Sequence, residues 1–227
     1  MICGYCQKAV IRNLTVKELL FPWRLSDFEL CKDCSGLFSR IDPAANCLYC
    51  SKSGVTGTCP DCQWWQAQRP AHLLHHHALF QYDEGFSEWL SRYKFSGDFR
   101  LRHTFNQQVK KHLQAYHGYL ICPIPLSEER FFERGFNQTS AFLQAAGIQT
   151  TELLVRSRHS APQSKKNRQE RLQMPQPYEV LPTIKHITKR KILLVDDVYT
   201  TGRTIRHGAE LLWAYEPAEV RSFSLAR

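Results

Sequence analysis

Long apolar runs are absent from this sequence. No stretch approaches the roughly 18 apolar residues that a membrane-spanning helix needs, so we expect no membrane insertion. The first residues lack a basic segment followed by an apolar core, so they do not resemble a signal peptide. Apart from paired cysteines there are no internal repeats, and there is no low-complexity tract. These absences predict a cytoplasmic protein, whose thiols stay reduced.

The sequence contains fewer acidic than basic residues. The 227 residues include 30 Lys and Arg against 21 Asp and Glu, which gives a formal net charge of +9. A basic balance favours a polyanionic partner, whether nucleic acid, a phosphorylated ligand or an anionic membrane, but it does not choose among them. The length suits one medium domain with a small appendage.

Cysteine is plentiful, and eight of the nine cysteines form four C-x-x-C pairs. In a reducing compartment such pairs are typical of metal ligands, because two thiolates three positions apart reach one zinc ion at about 2.3 Å. We assign one zinc ion to the first two pairs, and a second zinc ion to the last two pairs. The first group is Cys3, Cys6, Cys31 and Cys34, and the second is Cys47, Cys50, Cys59 and Cys62.

A cross-braced arrangement, first pair with third and second with fourth, is an open alternative. Both zinc ions are expected to be structural, since four thiolates stabilise a segment too small to bury a core. Catalytic zinc and disulfides are weaker alternatives. We therefore predict a double zinc ribbon over residues 1–70 and a second domain over residues 71–227.

Apolar periodicity changes after residue 71. Strands are predicted at 75–82, 119–124, 191–195 and 218–225, and helices at 86–94, 99–117, 135–146 and 204–215. This alternation predicts an α/β fold with a mostly parallel sheet flanked by helices. Ligands of such sheets bind at the carboxyl ends of the strands, here just after Ile124 and Val195.

Two aromatic clusters near this boundary have competing interpretations. Trp64 and Trp65 could stack on nucleic-acid bases, but we favour packing of the ribbon against the next domain. His72 and the run His75–His77 look like a metal cluster. Neighbouring residues of a strand point to opposite faces, however, so we do not expect them to share an ion.

The segment after the strand at 191–195 combines two carboxylates with a small polar loop and a helix start. Backbone N–H groups of such a loop, with a helix dipole, suit a monoester phosphate, and Gly202 allows a close approach. Asp196 and Asp197 then stand where carboxylates accept bonds from sugar hydroxyls or organise Mg²⁺. Ribose 5-phosphate fits this order. The alternative is a strand that ends in a turn capped by an aspartate.

Two resemblances sharpen this interpretation. Val195–Thr204 resembles the phosphoribosyl pyrophosphate (PRPP) signature of type I phosphoribosyltransferases. The resemblance implies that Asp196 and Asp197 contact the ribose hydroxyls. It implies that the 5-phosphate is held by Thr200, Thr201, Gly202, Arg203 and Thr204. Segments 93–98, 123–127 and 134–138 resemble elements of the ComF family, which implies a double zinc ribbon fused to a type I phosphoribosyltransferase domain.

The same resemblance suggests where the rest of PRPP lies. Arg130 and Arg134 are four residues apart, hence on one helical face, and are expected to bind the diphosphate unless they are solvated surface charges. The basic segment 156–171 resembles the family's mobile loop, so Lys165 and Arg168 are expected to contact PRPP. A solvated loop and a contact with DNA phosphates are the alternatives.

Membership of this family implies a late competence protein that handles incoming single-stranded DNA during natural transformation. It implies a ComF helicase-like ATPase and single-stranded DNA as partners, and PRPP with Mg²⁺ as ligand. An active phosphoribosyltransferase with an unidentified acceptor is one alternative. A PRPP or nucleotide sensor is another.

Overall fold

The computed structural model describes residues 1–11, 13–25, 28–68, 72–156, 176–182 and 187–227. Its strands are β1 Ile2–Cys3, β2 Phe28–Glu29, β3 His75–Phe80, β4 Tyr119–Pro123, β5 Leu154–Arg156, β6 Tyr178–Val180, β7 Lys191–Val198 and β8 Glu219–Ala226. Its α-helices are α1 Val16–Leu20, α2 Lys32–Ser35, α3 Pro60–Gln68, α4 Glu84–Phe95, α5 Asn106–Leu113, α6 Glu128–Arg134, α7 Gln138–Ala145 and α8 Arg203–Trp213.

The central sheet has four parallel strands in the order β3-β8-β7-β4. Residues Ile192–Val195 of β7 are all fully buried, as expected for a strand covered on both faces. A separate antiparallel pair joins β5 to β6. The predicted α/β class and the mostly parallel sheet are therefore confirmed.

Two predicted helices were wrong in their bounds. The single helix expected at 99–117 is broken into a 3-10 turn at Phe99–His103, helix α5 and a further 3-10 turn at Gln114–Tyr116. The helix expected at 135–146 begins only at α7. Gly135 has φ 77° and ends α6, because a left-handed residue stops the helix without strain when it has no Cβ. Strand β7 also extends through the two aspartates to Val198.

Each face of the sheet packs against one cysteine group. Leu193 and Val195 of β7 point into a core that contains Cys3 and Cys34, together with an aromatic cluster formed by α4 and Phe105. Ile192 and Leu194 point to the other side, into a core that contains all of Cys47, Cys50, Cys59 and Cys62. Because side chains alternate along a strand, the two cysteine groups lie on opposite sides of the sheet.

The histidines of β3 are structural, in agreement with the sequence interpretation. His76 is buried, and its two ring nitrogens each lie 3.0 Å from a serine hydroxyl of β8, Ser222 or Ser224. His77 stacks on His112 instead. In the described part of the chain, these histidines form no common metal site. No described helix is long and apolar enough to cross a membrane.

Candidate functional site

A cavity of about 320 Å³ opens at the carboxyl ends of β4 and β7. Its wall contains most of the residues that the sequence nominated for ligand binding. They are Arg130, Arg134, Asp196, Asp197, Thr200, Thr201, Arg203 and Thr204. The predicted site is therefore one place in the structure, formed by segments that lie about 70 residues apart in the sequence. Lys165 and Arg168 lie outside the described residues.

The end of β4 sets the position of the two arginines. The N–H of Ile124 donates to the carbonyl of Val195, so the chain leaves β4 beside the end of β7. The hydroxyl of Ser127 then caps α6, accepting from the N–H of Arg130 at 3.4 Å. Both arginines lie on this short helix, and Nη1 of Arg134 donates to the side-chain oxygen of Gln138 at 2.9 Å.

The side chain of Asn137 connects the start of α7 to the end of β4. Its side-chain oxygen accepts from the N–H groups of Thr139 and Ser140, which caps α7. Its side-chain nitrogen donates to the carbonyl of Ile124 at 3.0 Å. One asparagine therefore holds the start of α7 against the wall of the cavity.

The two aspartates sit in different environments. Asp197 is buried, and its carboxylate lies 2.7 Å from Nζ of Lys94. Asp196 borders the cavity, where burial and the negative charge of Asp197 raise its pKa to about 7, against the opposing effect of Lys94. At neutral pH the carboxyl of Asp196 therefore exchanges a proton readily.

The phosphate loop, which we define as residues 200–204, links β7 to α8. Gly202 has φ 78°, and a Cβ at this position would overlap the hydroxyl of Tyr199. Both facts explain why glycine stands here, as expected from the sequence. The hydroxyl of Thr201 accepts from the N–H of Arg203 at 3.4 Å, which shapes the turn that begins α8.

Several further lining residues were not named as ligand contacts in the sequence analysis, among them Lys94, Tyr178, His207 and Arg156, the first residue of the basic segment 156–171. Lys94 lies in segment 93–98, which resembles an element of the ComF family. That resemblance was the one sequence feature that pointed to Lys94 as a residue of the site. Among the described lining residues there are five lysines and arginines against two carboxylates. The cavity therefore suits a ligand with several negative charges.

The two cysteine groups fit tetrahedral zinc. Within each group the Sγ atoms all lie within 4.8 Å of one another, and the grouping is the sequential one. The Sγ atoms of Cys50 and Cys59 are 3.6 Å apart, and those of Cys6 and Cys31 are 3.9 Å apart. Zinc with Zn–S bonds of about 2.3 Å places its sulfur ligands roughly 3.8 Å apart. Both groups can therefore hold a metal ion.

Trp65 and Trp64 take different roles. Trp65 is buried, and its indole Nε1 donates to the carbonyl of Thr201 at 3.0 Å. Trp64 is 44% exposed. Packing, rather than an exposed position, is confirmed for Trp65, and its packing partner is the phosphate loop.

Several known proteins are similar to this chain. The family model described as "Phosphoribosyl transferase domain" matches residues 135–227. The competence protein ComFC of Streptococcus pneumoniae is 38% identical over 227 residues, covering all of this chain and 99% of that protein. The competence protein ComFC of Bacillus subtilis is 30% identical, covering all of this chain and 95% of that protein. A hypoxanthine phosphoribosyltransferase structure from Staphylococcus aureus has 13% identity and a TM-score of 0.34, covering 56% of this chain and 63% of that one.

Proposed function

The chain belongs to the ComFC family of competence proteins, and from that premise we propose that it supports natural transformation through a site that binds PRPP. The proposed role is the handling of incoming single-stranded DNA in the cytoplasm, with a ComF helicase-like ATPase as partner. Its fold, a phosphoribosyltransferase-type domain with N-terminal cysteine groups suited to a zinc ribbon, is the one expected from the sequence. The division of the chain near residue 70 stays a prediction.

One observation carries the PRPP proposal: a single cavity joins the phosphate loop, the carboxylate pair and two arginines. These are the groups that the three parts of PRPP require. The loop amides and threonine hydroxyls receive the 5-phosphate, and Asp196 and Asp197 accept bonds from the ribose hydroxyls. Arg130 and Arg134 bind the diphosphate through paired N–H donors.

Two kinds of metal complete the proposal. Zinc in the two cysteine groups stabilises the first 62 residues, which have few long elements of their own. Mg²⁺ enters with PRPP and neutralises part of the phosphate charge. Lys94 beside Asp197 supplies a positive charge at this place when no cation is bound.

Phosphoribosyl transfer is a second candidate function, favoured by the two arginines of α6 within the cavity. In that reaction a lone pair of the acceptor attacks C1 of the ribose. The C1–O bond to the diphosphate breaks, and the diphosphate leaves with the electron pair. Arg130 and Arg134 stabilise the leaving charge, and the proton of the acceptor passes to water. The acceptor itself is not identified by any residue of the cavity.

Calorimetry tests the proposed site. The zinc-loaded protein is titrated with PRPP and Mg²⁺ beside a double Asp196→Asn/Asp197→Asn variant. A second double variant, Asp33→Asn/Asp42→Asn, removes the same charge at two exposed positions and is the matched control. We expect binding by the wild type and the control, and none by the cavity variant. Folded wild-type protein that does not bind PRPP would refute the site.

The DNA role is tested separately. A fluorescent single-stranded oligonucleotide is titrated with the protein at several salt concentrations, and we expect the affinity to fall steeply as salt rises. A deletion strain of a transformable host should lose transformation and recover it with the wild-type gene. Normal transformation by the deletion strain would contradict the role, whatever the calorimetry shows.

A further inference from the structure

The phosphate loop has a second side, which faces the second cysteine group rather than the cavity. Helix α3 begins at Pro60, carries Cys62 of that group, and presents Trp65 to the loop. The indole N–H of Trp65 donates to the carbonyl of Thr201 at 3.0 Å, in a position where Trp65 is only 2% exposed. The guanidinium group of Arg206, from the first turns of α8, lies over the same ring at 4.7 Å.

Arg227 makes a second connection between the same two places. Its Nη1 donates to the carbonyl of Thr200 at 2.5 Å, and its guanidinium group lies 4.9 Å from the centre of the Tyr199 ring. Its Nη2 donates to Sγ of Cys50 at 3.5 Å and to Oδ2 of Asp61 at 3.3 Å. One guanidinium group thus bridges a cysteine of the metal site and the backbone of the phosphate loop.

These contacts set the direction of the loop amides. In a planar trans peptide the C=O and the following N–H point in opposite directions. Arg227 holds the carbonyl of Thr200, so the N–H of Thr201 points away from Arg227. Trp65 holds the carbonyl of Thr201, so the N–H of Gly202 points away from Trp65. The two amides are thereby fixed before a ligand arrives.

We propose that Trp65 and Arg227 are positioning residues that bind the phosphate loop on the side that faces the second cysteine group. Through these two residues, the second cysteine group governs how tightly the loop binds phosphate. This inference rests on the proposed function, because it concerns the 5-phosphate end of the same site. It makes the second cysteine group a structural part of the ligand site. The first group has no such role, because it packs on the opposite side of the sheet.

A ligand-free measurement tests the proposal first. Amide hydrogen exchange is followed in the peptide that covers residues 199–206, with α4 as internal reference. Trp65→Phe keeps an aromatic ring but loses the indole N–H that donates to Thr201, and Trp64→Phe is its matched neighbour. We expect faster exchange of the loop in Trp65→Phe, unchanged exchange in Trp64→Phe, and two zinc ions per chain in both.

Arg227 is tested in the same way. Arg227→Gln removes the bridge, and Arg221→Gln is the control. Arg221 lies on the same strand region and pairs with Glu219 at 2.6 Å. Cys59→Ser removes one ligand of the second group and Cys6→Ser one ligand of the first. Faster loop exchange is expected in Arg227→Gln and Cys59→Ser, but not in Arg221→Gln or Cys6→Ser.

PRPP affinity provides the second measurement. Loss of one buried hydrogen bond corresponds to about a fivefold weaker Kd for Trp65→Phe. Loss of a charged donor corresponds to roughly tenfold or more for Arg227→Gln. Equal loop exchange in Trp65→Phe and Trp64→Phe, with zinc retained, would overturn the proposal. If the wild type binds no PRPP, the proposed function fails, while the exchange data still decide whether Trp65 and Arg227 hold the loop.

Discussion

Binding of PRPP should release a proton from Asp196. Burial first, and then the charge of Asp197, raise the pKa of this carboxyl to about 7, so at pH 7 about half of the molecules carry its proton. A ribose hydroxyl that donates to the carboxyl favours the ionised form. Formation of the complex at pH 7 therefore expels about half a proton, about nine-tenths at pH 6 and about a tenth at pH 8.

Titration calorimetry in buffers of different ionisation enthalpy measures this number directly. The observed enthalpy is plotted against the ionisation enthalpy of the buffer, and the slope is the number of protons exchanged. The phosphates of PRPP also exchange protons, so Asp196→Asn is run in parallel and its slope is subtracted. The difference should be about half a proton at pH 7. Identical slopes for the two proteins, or net proton uptake attributable to Asp196, would refute the assignment.

The raised pKa of Asp196 also determines how the stability of the folded protein changes with pH. Because the pKa is raised above its usual value of 3.8, the folded state binds more protons than the unfolded chain between about pH 4 and pH 7. The contribution of this carboxyl to stability is therefore present below pH 4 and is lost as the pH rises to 7. Urea unfolding should show that Asp196→Asn becomes more stable relative to the wild type as pH increases over this range. An unchanging difference would contradict the burial of this charge.

Three further changes have defined outcomes. Lys94→Met leaves a buried carboxylate unpaired, so the free energy of unfolding in urea should fall by about 3 kcal/mol, whereas the exposed Lys110→Met should leave it nearly unchanged. Gly202→Ala places a Cβ where φ is 78°, so PRPP affinity by calorimetry should drop at least about tenfold; unaltered affinity would mean that the loop adapts freely. Cys62→Ser should bind one zinc ion by native mass spectrometry, whereas Cys122→Ser should retain two, and two zinc ions in both would show that Cys62 is not a ligand.

The parts of the site that the sequence predicted are those encoded in short segments. The C-x-x-C pairs, the aspartate pair and the threonines of the phosphate loop each occupy a few consecutive positions, so their chemistry is visible without a fold. The sequential grouping of the cysteines was one of two options, and the tertiary structure distinguishes them by bringing the Sγ atoms of each sequential group within 4.8 Å of one another.

The parts that were missed depend on contacts between distant segments. Lys94 reaches Asp197 from a helix about 100 residues earlier, and Trp65 reaches Thr201 from 136 residues earlier. The helix expected to begin at Gly135 begins only at Gln138, because Gly135 is left-handed and ends the preceding helix α6. A helical period reports which face is buried, but the left-handed conformation of one glycine decides where the helix ends.

The order of strands in the central sheet has a consequence for how this chain is made. Strand β3 pairs in the sheet with β8, and His75 lies opposite Arg221, 146 positions further along. At a synthesis rate of about 5–20 residues per second, β8 is synthesised roughly 7 to 30 s after β3. For that time a strand whose second half is apolar, Ala78–Phe80, lacks its partner in the sheet. Production of this protein should therefore depend on chaperones that bind nascent chains, and fast expression at high temperature should favour aggregation over folding.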